Sequence, residues 1–384
     1  MREPMRDERD DVWGGRRATF ASDDQRVWLE RMVERGYTAP TWPREYGGAA
    51  LSAEENAVLE QELKRLNCRP ALKSLGIWML APVLLQFGTE EQKREHLPKM
   101  ARGEIRWCQG YSEPGAGSDL ASLQTRAILE GDEYVVDGQK IWTSHAHVAD
   151  FIFCLVRTDP TDRREGMQAC EPARLPSAKK HEGISFLLID MASPGVRVKP
   201  IKLISGASPF CETFFEGVRV PAKNLVGKPG GGWSVAKAVL EHERALISRM
   251  RDQRATEDEP LGKMAARYGG VDAVTRDRIA QADIDSLALK LTLRRSAEAI
   301  EAGRAPGAET STFKLLATEL SKRRLEIALA IKGFQALGWS GDGYAQDELT
   351  TTRAWLRSRA SSIEGGSSEI QLNIIAKRVL GLPD

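Results

Sequence analysis

Apolar positions in the first third of the chain recur at spacings of three and four. Between Asp23 and Arg35 they place Val27, Trp28, Met32 and Val33 on one helical face, and between Glu54 and Leu66 they do the same with Val58, Leu59, Leu63 and Leu66. Thr89 followed by Gln92 reads as a capping box that opens the helix carrying Leu97 and Met100. The most apolar run, Leu75 to Phe87, is too short to cross a bilayer and reads as a buried helix. Tyr37 to Gly48 is a proline-rich surface turn whose aromatics pack on neighbouring helices.

The period changes near Arg106. Ala127 to Leu129, Glu133 to Val136 and Gln139 to Trp142 read as short strands, with hairpin signals at Gly131-Asp132 and Asp137-Gly138. Phe151 to Arg157, Ile184 to Asp190, Val196 to Lys199 and Thr213 to Val220 continue the series, which predicts an antiparallel β-barrel or sandwich. The polar stretch from Thr158 to Glu182 reads as a long surface loop. Helical spacing returns at Gly230, with candidates at Trp233 to Met250, Ala273 to Ala302, Thr310 to Leu337, Asp347 to Arg359 and Glu369 to Leu380. Long amphipathic helices with short connections suggest a four-helix-type bundle. The expectation is a mainly α chain with a central β domain: a helical domain at 1–108, a β domain at 109–225 and a helical bundle at 226–384.

Composition narrows the class without naming a function. The 384 residues are 41% hydrophobic and 28% charged, with a net charge of +1, so no polyanion-binding surface is implied and no nucleic acid is expected. The start of the chain, Met1 to Asp7, is charged and does not read as a signal peptide, and no membrane segment is visible. Five cysteines without paired spacing show no disulfide framework or zinc site, which points to a reducing cytoplasm. His145 and His147, two apart, are a poor ligand pair, so no metal is expected. No Gly-x-Gly-x-x-Gly follows a strand, which argues against a Rossmann nicotinamide site.

Three stretches could carry chemistry. Ser112-Glu113-Pro114-Gly115-Ala116-Gly117-Ser118-Asp119 is a constrained loop: Pro114 fixes one φ, and Gly115 and Gly117 allow positive φ. It could cradle an anion with bare N–H groups or be a generic turn. On the helix from Trp233, Ala236, Leu240, Ile247 and Met250 form a stripe with Trp233, and Glu243 falls on it. A carboxylate there is either a core ion pair or a desolvated general base. In Ile363 to Gln371, Gly365 and Gly366 permit close approach to the backbone, and Ser367 and Ser368 open a helix. A capped helix after a loop is a common arrangement.

Taken together, Tyr111-Ser112-Glu113-Pro114-Gly115-x-Gly117-Ser118-Asp119 and Lys140-x-Trp142-x-Ser144 resemble, at the same spacing, the two halves of the signature of the FAD-dependent acyl-CoA dehydrogenases. The resemblance extends over nearly the whole chain and implies the same helical, β, helical order. It implies that Tyr111, Ser112, Trp142 and Ser144 lie at the flavin, with Trp142 packed on the ring. Ser118 matches an acyl-CoA contact and Arg244 one near the CoA moiety. Ser367 and Glu369 match FAD contacts. Gln335 and Gly338 match a Gln-x-x-Gly that reaches a neighbouring subunit's FAD, which implies a homo-oligomer, a tetramer in the family. Arg267-Tyr268-Gly269-Gly270 is the nearest remnant of the family's Arg-x-x-Phe-Gly, a departure on the adenosine side.

Many members place the catalytic base in Glu-Gly-Thr-x-x-Ile-Gln. Alignment on Ile370-Gln371 puts Gly365, not Glu364, at that position. A branch that includes the isovaleryl and long-chain types takes its base from a Glu-Arg pair on the first bundle helix, and Glu243-Arg244 matches it. The resemblance therefore implies α,β-dehydrogenation of an acyl-CoA thioester. Glu243 would be the base, the backbone N–H of Gly365 would hold the enolate oxygen, and an electron-transferring flavoprotein would accept the electrons. A flavin monooxygenase of the same fold, or a non-catalytic partner subunit of a heteromeric dehydrogenase, are the alternatives.

Overall fold

Among the described residues, segments with helical spacing, such as 23–34 and 273–301, are helices. The structure, a computed structural model, describes residues 11–158, 180–240, 242–243, 259–301 and 307–383. These form two compact units. One holds the described residues up to Ile201 with Pro209–Glu243, and the other holds Lys202–Ser208 with those after Glu243.

In the first unit, α1 (Asp23–Glu34), α2 (Ala53–Arg65), α3 (Ala81–Phe87) and α4 (Glu90–Ala101) precede the sheet. The expected Thr89–Gln92 capping box is present at α4. The Gln92 amide also donates to the Lys223 and Leu225 carbonyls at 2.7 and 2.8 Å, so one side chain caps α4 and ties it to the β domain. Gly76, Ile77, Met79, Leu80, Ala81, Val83 and Leu84 are buried, in a π turn (Gly76–Leu80) that runs into α3. Trp42 and Tyr46 in the proline-rich turn are buried as well. The α2 stripe behaves differently: Leu59 and Leu63 are half-buried, while Val58 and Leu66 are exposed. Helical periodicity and two caps suffice to form this helix without a full partner for its apolar face.

The β domain is a sheet of eight described strands: β1 (Trp107–Gly110), β2 (Arg126–Glu130), β3 (Glu133–Ser144), β4 (Phe151–Arg157), β5 (Ile184–Asp190), β6 (Val196–Ile201), β7 (Phe210–Pro221) and β8 (Leu225–Val226). The order is β6-β7-β3-β2-β4-β5-β8, with β1 on β4. Most pairings are antiparallel. The β1–β4 and β2–β4 pairings are parallel, which hairpin signals cannot reveal because parallel neighbours are distant in sequence.

Asp137-Gly138 is not a hairpin. It lies inside β3, where the register with β7 shifts and β7 carries one extra residue. Asp137 accepts the Gly217 N–H at that bulge, at 2.8 Å, and Gly138 lies where a Cβ would come within 2.6 Å of the Thr125 Oγ1. The two residues serve a bulge and a close contact, the other common uses of Asx-Gly in a strand. The predicted loop at 158–182 falls mostly on residues 159–179, outside the described residues.

The first bundle helix, α5, starts at residue 232 and is described through 240 and at 242–243. The remainder of the predicted Trp233–Met250 helix, Arg244 included, lies outside the described residues. In the second unit, α6 (Leu261–Arg267), α7 (Ala273–Glu301) and α8 (Thr310–Lys332) share a core of Leu261, Met264, Ile279, Ala282, Ile327 and Ile331. A 3-10 turn (Gly333–Leu337), α9 (Gln346–Ser358) and α10 (Ser368–Ile374) follow.

Gly138 has φ +151°, and its missing Cβ faces the Thr125 backbone and side chain. Gly138→Ala is expected to destabilise the first unit by about 1–3 kcal/mol. A thermal melt unchanged from wild type would show that this contact relaxes freely.

Candidate active site

The loop after β1 is fixed from beneath by a buried ion pair. Lys140 on β3 has no exposed side-chain surface, and its ammonium donates to Glu113 Oε1 at 2.7 Å and to the Tyr111 carbonyl at 3.2 Å. Glu113 also accepts the Gln124 N–H at 2.6 Å and the Thr125 N–H at 2.9 Å. Burial alone would raise this carboxyl, but the Lys140 charge and the converging hydrogen bonds outweigh it, and its pKa lies below 4.5. The Ile141 N–H donates to the Ser112 carbonyl at 2.9 Å, so the two signature halves lie side by side.

Gly115 and Gly117 do not use positive φ, contrary to expectation. Reciprocal Glu113–Ala116 backbone bonds close the turn, and a Cβ on either glycine would meet no atom within 4 Å. They keep the surface bare rather than permit a special backbone. Ser118 is exposed beside them.

Two residues along β3, strand alternation breaks. Tyr134, Val136 and Lys140 are buried, so a regular strand would bury residue 142 as well. The register with β7 instead slips between Lys140 and Thr143, and Trp142 takes φ +61°. Thr143 becomes the inward residue, 1% exposed, and Trp142 turns outward, 52% exposed, with an edge contact to Phe210 at 6.1 Å. A β-region residue forced into the left-handed region is costly, and such strain concentrates at ligand sites.

Helix α5 brings a carboxylate to β1. A Cβ at Gly232 would run into the backbone of Ser185 and Phe186, so the glycine lets the helix start directly on β5. Val235, Ala236 and Val239 are its fully buried positions, whereas Trp233 and Leu240 are half-buried, a slight rotation of the predicted stripe. Glu243 continues the Ala236–Val239 row and is half-buried. Gln109 Nε2 donates to Glu243 Oε2 at 3.3 Å. Tyr111 is buried and its hydroxyl has no hydrogen-bond partner among the described residues. Its pKa is well above 10, raised by burial and then by the Glu243 charge.

In the second unit, the glycine turn is tightly held. Lys314 donates to the Ser361 and Gly366 carbonyls at 3.2 and 2.7 Å, and Gly365 and Gly366 have φ +65° and +89°. Ser367 caps α10 by accepting the Ile370 N–H, and Glu369 is exposed. Glu364 is paired to Arg357 at 2.6 Å. Gln335 is exposed in the 3-10 turn, and Gly338 is buried where a Cβ would strike the Tyr344 ring. His145 and His147 have ring centroids 6.4 Å apart, and His147 Nδ1 lies 3.3 Å from the Cys211 Sγ. Among the described residues, no group of three or more His, Cys, Asp or Glu is placed to hold a metal.

Three family profiles cover the chain: "Acyl-CoA dehydrogenase, N-terminal domain" at 3–104, "middle domain" at 108–218 and "C-terminal domain" at 230–380. The chain belongs to the acyl-CoA dehydrogenase family. It is 37% identical over 366 residues to "Acyl-CoA dehydrogenase IpdE1" of Mycobacterium tuberculosis, covering 94% of this chain and 89% of that one. Among solved structures, it resembles "Tcur3481-Tcur3483 steroid ACAD" at 30% identity and TM-score 0.77, over 94% of this chain and 90% of the other. The ChsE4-ChsE5 complex of Mycobacterium tuberculosis matches at 29% identity and TM-score 0.70, over 94% and 93%.

The protein is thus an FAD-dependent acyl-CoA dehydrogenase. Its residues fit a flavin. The Trp142 indole is held outward by a strained bulge, the Ser112 and Ser144 hydroxyls are half-buried without a protein partner among the described residues, and the loop surface at Gly115 and Gly117 is bare.

The sequence motifs include Lys140 and Glu113 but assign a role to neither, and they do not reach Gln109. Lys140 carried a signal, since a lysine at an inward strand position needs a buried partner. The nearest was the glutamate of the paired motif half. Nothing in the spacing marks Gln109, because its partner is 134 residues away.

Lys140→Met is expected to cost about 3–5 kcal/mol by leaving Glu113 buried and unpaired, read as a lowered melting temperature and lost flavin. Because the Glu113 pKa is depressed, its contribution is present above its unfolded value of 4.5 and lost as pH falls through the folded value. The wild type should therefore lose stability below about pH 4.5 more steeply than Lys140→Met. Parallel acid melts of the two proteins test this.

Proposed function

We propose that this dehydrogenase converts an acyl-CoA thioester to its trans-2-enoyl-CoA with Glu243 as the base. The observation that carries this reading is the placement of Glu243 by α5 against β1, where Gln109 holds one carboxylate oxygen. Glu243 takes the α-proton while the β-hydrogen leaves as hydride, and the C–H electrons form the new double bond. FAD, when bound, supplies the hydride acceptor. Ser112, Ser144 and Trp142 would hold the flavin, with Tyr111 behind them, and Ser118 and Arg244 would contact the acyl-CoA. An α-proton of a thioester is too weakly acidic for an unaided carboxylate, so the developing enolate oxygen needs a donor. The family resemblance assigns that role to the Gly365 N–H. Ser367, Glu369, Gln335 and Gly338 are assigned to FAD in the same way.

Glu364, the rival carboxylate, is engaged by Arg357. An electron-transferring flavoprotein is the proposed acceptor of the electrons. Similarity to a structure described as a steroid acyl-CoA dehydrogenase favours polycyclic acyl chains as the first substrates to try. A cytoplasmic setting fits the four described cysteines, all free. No described helix is long and apolar enough to cross a membrane.

We further propose a homotetramer. The second unit exposes Ile284, Leu287 and Leu291 in a row on α7, with Phe334 88% and Leu337 74% exposed beside Gln335. Such surface is costly in water unless covered. A second reading, in which a different chain covers it, is favoured by the two-protein ChsE4-ChsE5 complex among the similar structures. Sedimentation of the holoprotein expressed alone should show a tetramer, and Phe334→Asp with Leu337→Asp should dissociate it. A wild-type monomer would favour the two-chain reading.

Glu243→Gln is expected to slow anaerobic flavin reduction by at least about 10²-fold with FAD retained. Glu364→Gln should change the rate far less. Rapid mixing with the most active member of an acyl-CoA panel decides between them, and a dead Glu364→Gln beside a normal Glu243→Gln would reverse the assignment.

A further inference from the structure

Ser118 is exposed, and its hydroxyl has no protein partner among the described residues. Its place is therefore set by the backbone on either side. Before it, the reciprocal Glu113–Ala116 bonds close the turn. After it, the Ser122 N–H and hydroxyl both donate to the Asp119 carbonyl, at 3.1 and 2.7 Å, around a 3-10 turn (Leu120–Ser122). That turn is held by Arg157, the last residue of β4. The Arg157 N–H donates to the Thr125 carbonyl at 2.7 Å. Its guanidinium donates to four more carbonyls: Nε to Leu123 at 3.0 Å, Nη2 to Ala121 at 2.5 Å and to Lys180 at 2.8 Å, and Nη1 to Glu182 at 2.8 Å.

We propose that Arg157 is the positioning residue for the far end of the signature loop: its guanidinium fixes the turn after Ser118 and so sets where that hydroxyl meets the acyl-CoA. This rests on the reading of Ser118 as an acyl-CoA contact and adds to it a residue that acts through Ser118. The backbone of residues 121–125 is gripped by opposite charges. The Glu113 carboxylate takes the Gln124 and Thr125 amides, and the Arg157 guanidinium takes the Ala121 and Leu123 carbonyls. A planar fork of N–H groups can serve carbonyls on two segments at once, whereas a lysine ammonium is a compact point donor. Lys180 makes a second tie nearby, to Asp119 at 2.7 Å, but both side chains are more than half exposed, and such pairs contribute little. The hold therefore falls to Arg157, which is half-buried. A loop left to wander would pay its ordering cost at each binding event, so anchoring it appears as affinity.

The test is a double-mutant cycle, read as binding of acetoacetyl-CoA to holoenzyme through the flavin spectrum. This thioester carries a keto group at the β-carbon, so it has no β-hydrogen to give and binds without turnover. Ser118→Ala should weaken its binding by about 3–10-fold, the worth of one neutral hydrogen bond. Arg157→Met should weaken it at least as much. In that background Ser118→Ala should cost nothing further, because residues that act as a unit are not additive. Flavin content should match wild type, and with the most active member of an acyl-CoA panel KM should rise more than the limiting rate falls. Arg157→Lys should recover part of the affinity, and it carries the cycle if Arg157→Met does not fold. Lys180→Ala should bind as wild type does; a loss equal to that of Arg157→Met would move the hold to the exposed pair and overturn the proposal. If Ser118→Ala binds as tightly as wild type, the substrate assignment of Ser118 fails, and the role of Arg157 fails with it. If Ser118→Ala weakens binding but the Arg157 variants do not, or the two losses multiply, Ser118 stands and the positioning role is wrong.

Discussion

A lysine ammonium and a glutamate carboxylate, both withdrawn from water, hold the loop after β1 in place. An isolated charge in such surroundings would cost several kcal/mol, so each member of the Lys140–Glu113 pair requires the other. Their other hydrogen bonds go to the backbone: the Tyr111 carbonyl on one side, the Gln124 and Thr125 amides on the other. The pair therefore fixes the loop after β1 against the middle of β3. A hydrophobic pair of the same volume could fill the space but would not specify which backbone groups meet.

What lies above the pair follows from that anchoring. The strand emerging from Lys140 is pinned at one end, and within three residues it accommodates an extra residue against β7. The slip puts Thr143 inside and Trp142 outside, in a backbone conformation a tryptophan rarely adopts. The cost is tolerated because the pairing of Lys140 with Thr213 and Thr143 with Cys211 over-determines the chain on both sides. A bare glycine loop, two half-buried serines and an outward indole are thereby presented together.

Glu243 approaches from a different element by a different device. Helix α5 starts on the bare backbone of β5 because residue 232 has no side chain. From there to Glu243 the helix rises about 16 Å at 1.5 Å per residue, and its buried Val235, Ala236 and Val239 set the rotation. Glu243 then meets Gln109 because both the helix and β1 are fixed independently. In the second unit, Lys314 plays a comparable supporting part by holding two carbonyls around the glycine turn.

Much of this was legible in residue order. Helical spacing located the helix at 23–34 and the Thr89–Gln92 capping box the one at 90–101, while the strands at 151–157 and 184–190 are apolar runs buried on both faces. The paired motif halves announced the flavin-binding family, and the helical stripe singled out Glu243. The sequence could not show that Asp137-Gly138 serves a bulge rather than a hairpin, since the same dipeptide suits both and the choice depends on β7, some eighty residues later. Nor could it show that Trp142 faces outward: strict alternation from Lys140 buries it, and only the slipped register reverses that. Gln109 gave no signal at all, because a hydrogen bond spanning 134 residues leaves no local pattern. Local spacing determines which segments become helix or strand, whereas the directions of side chains at a bulge and the partners of polar groups are decided when distant segments pack.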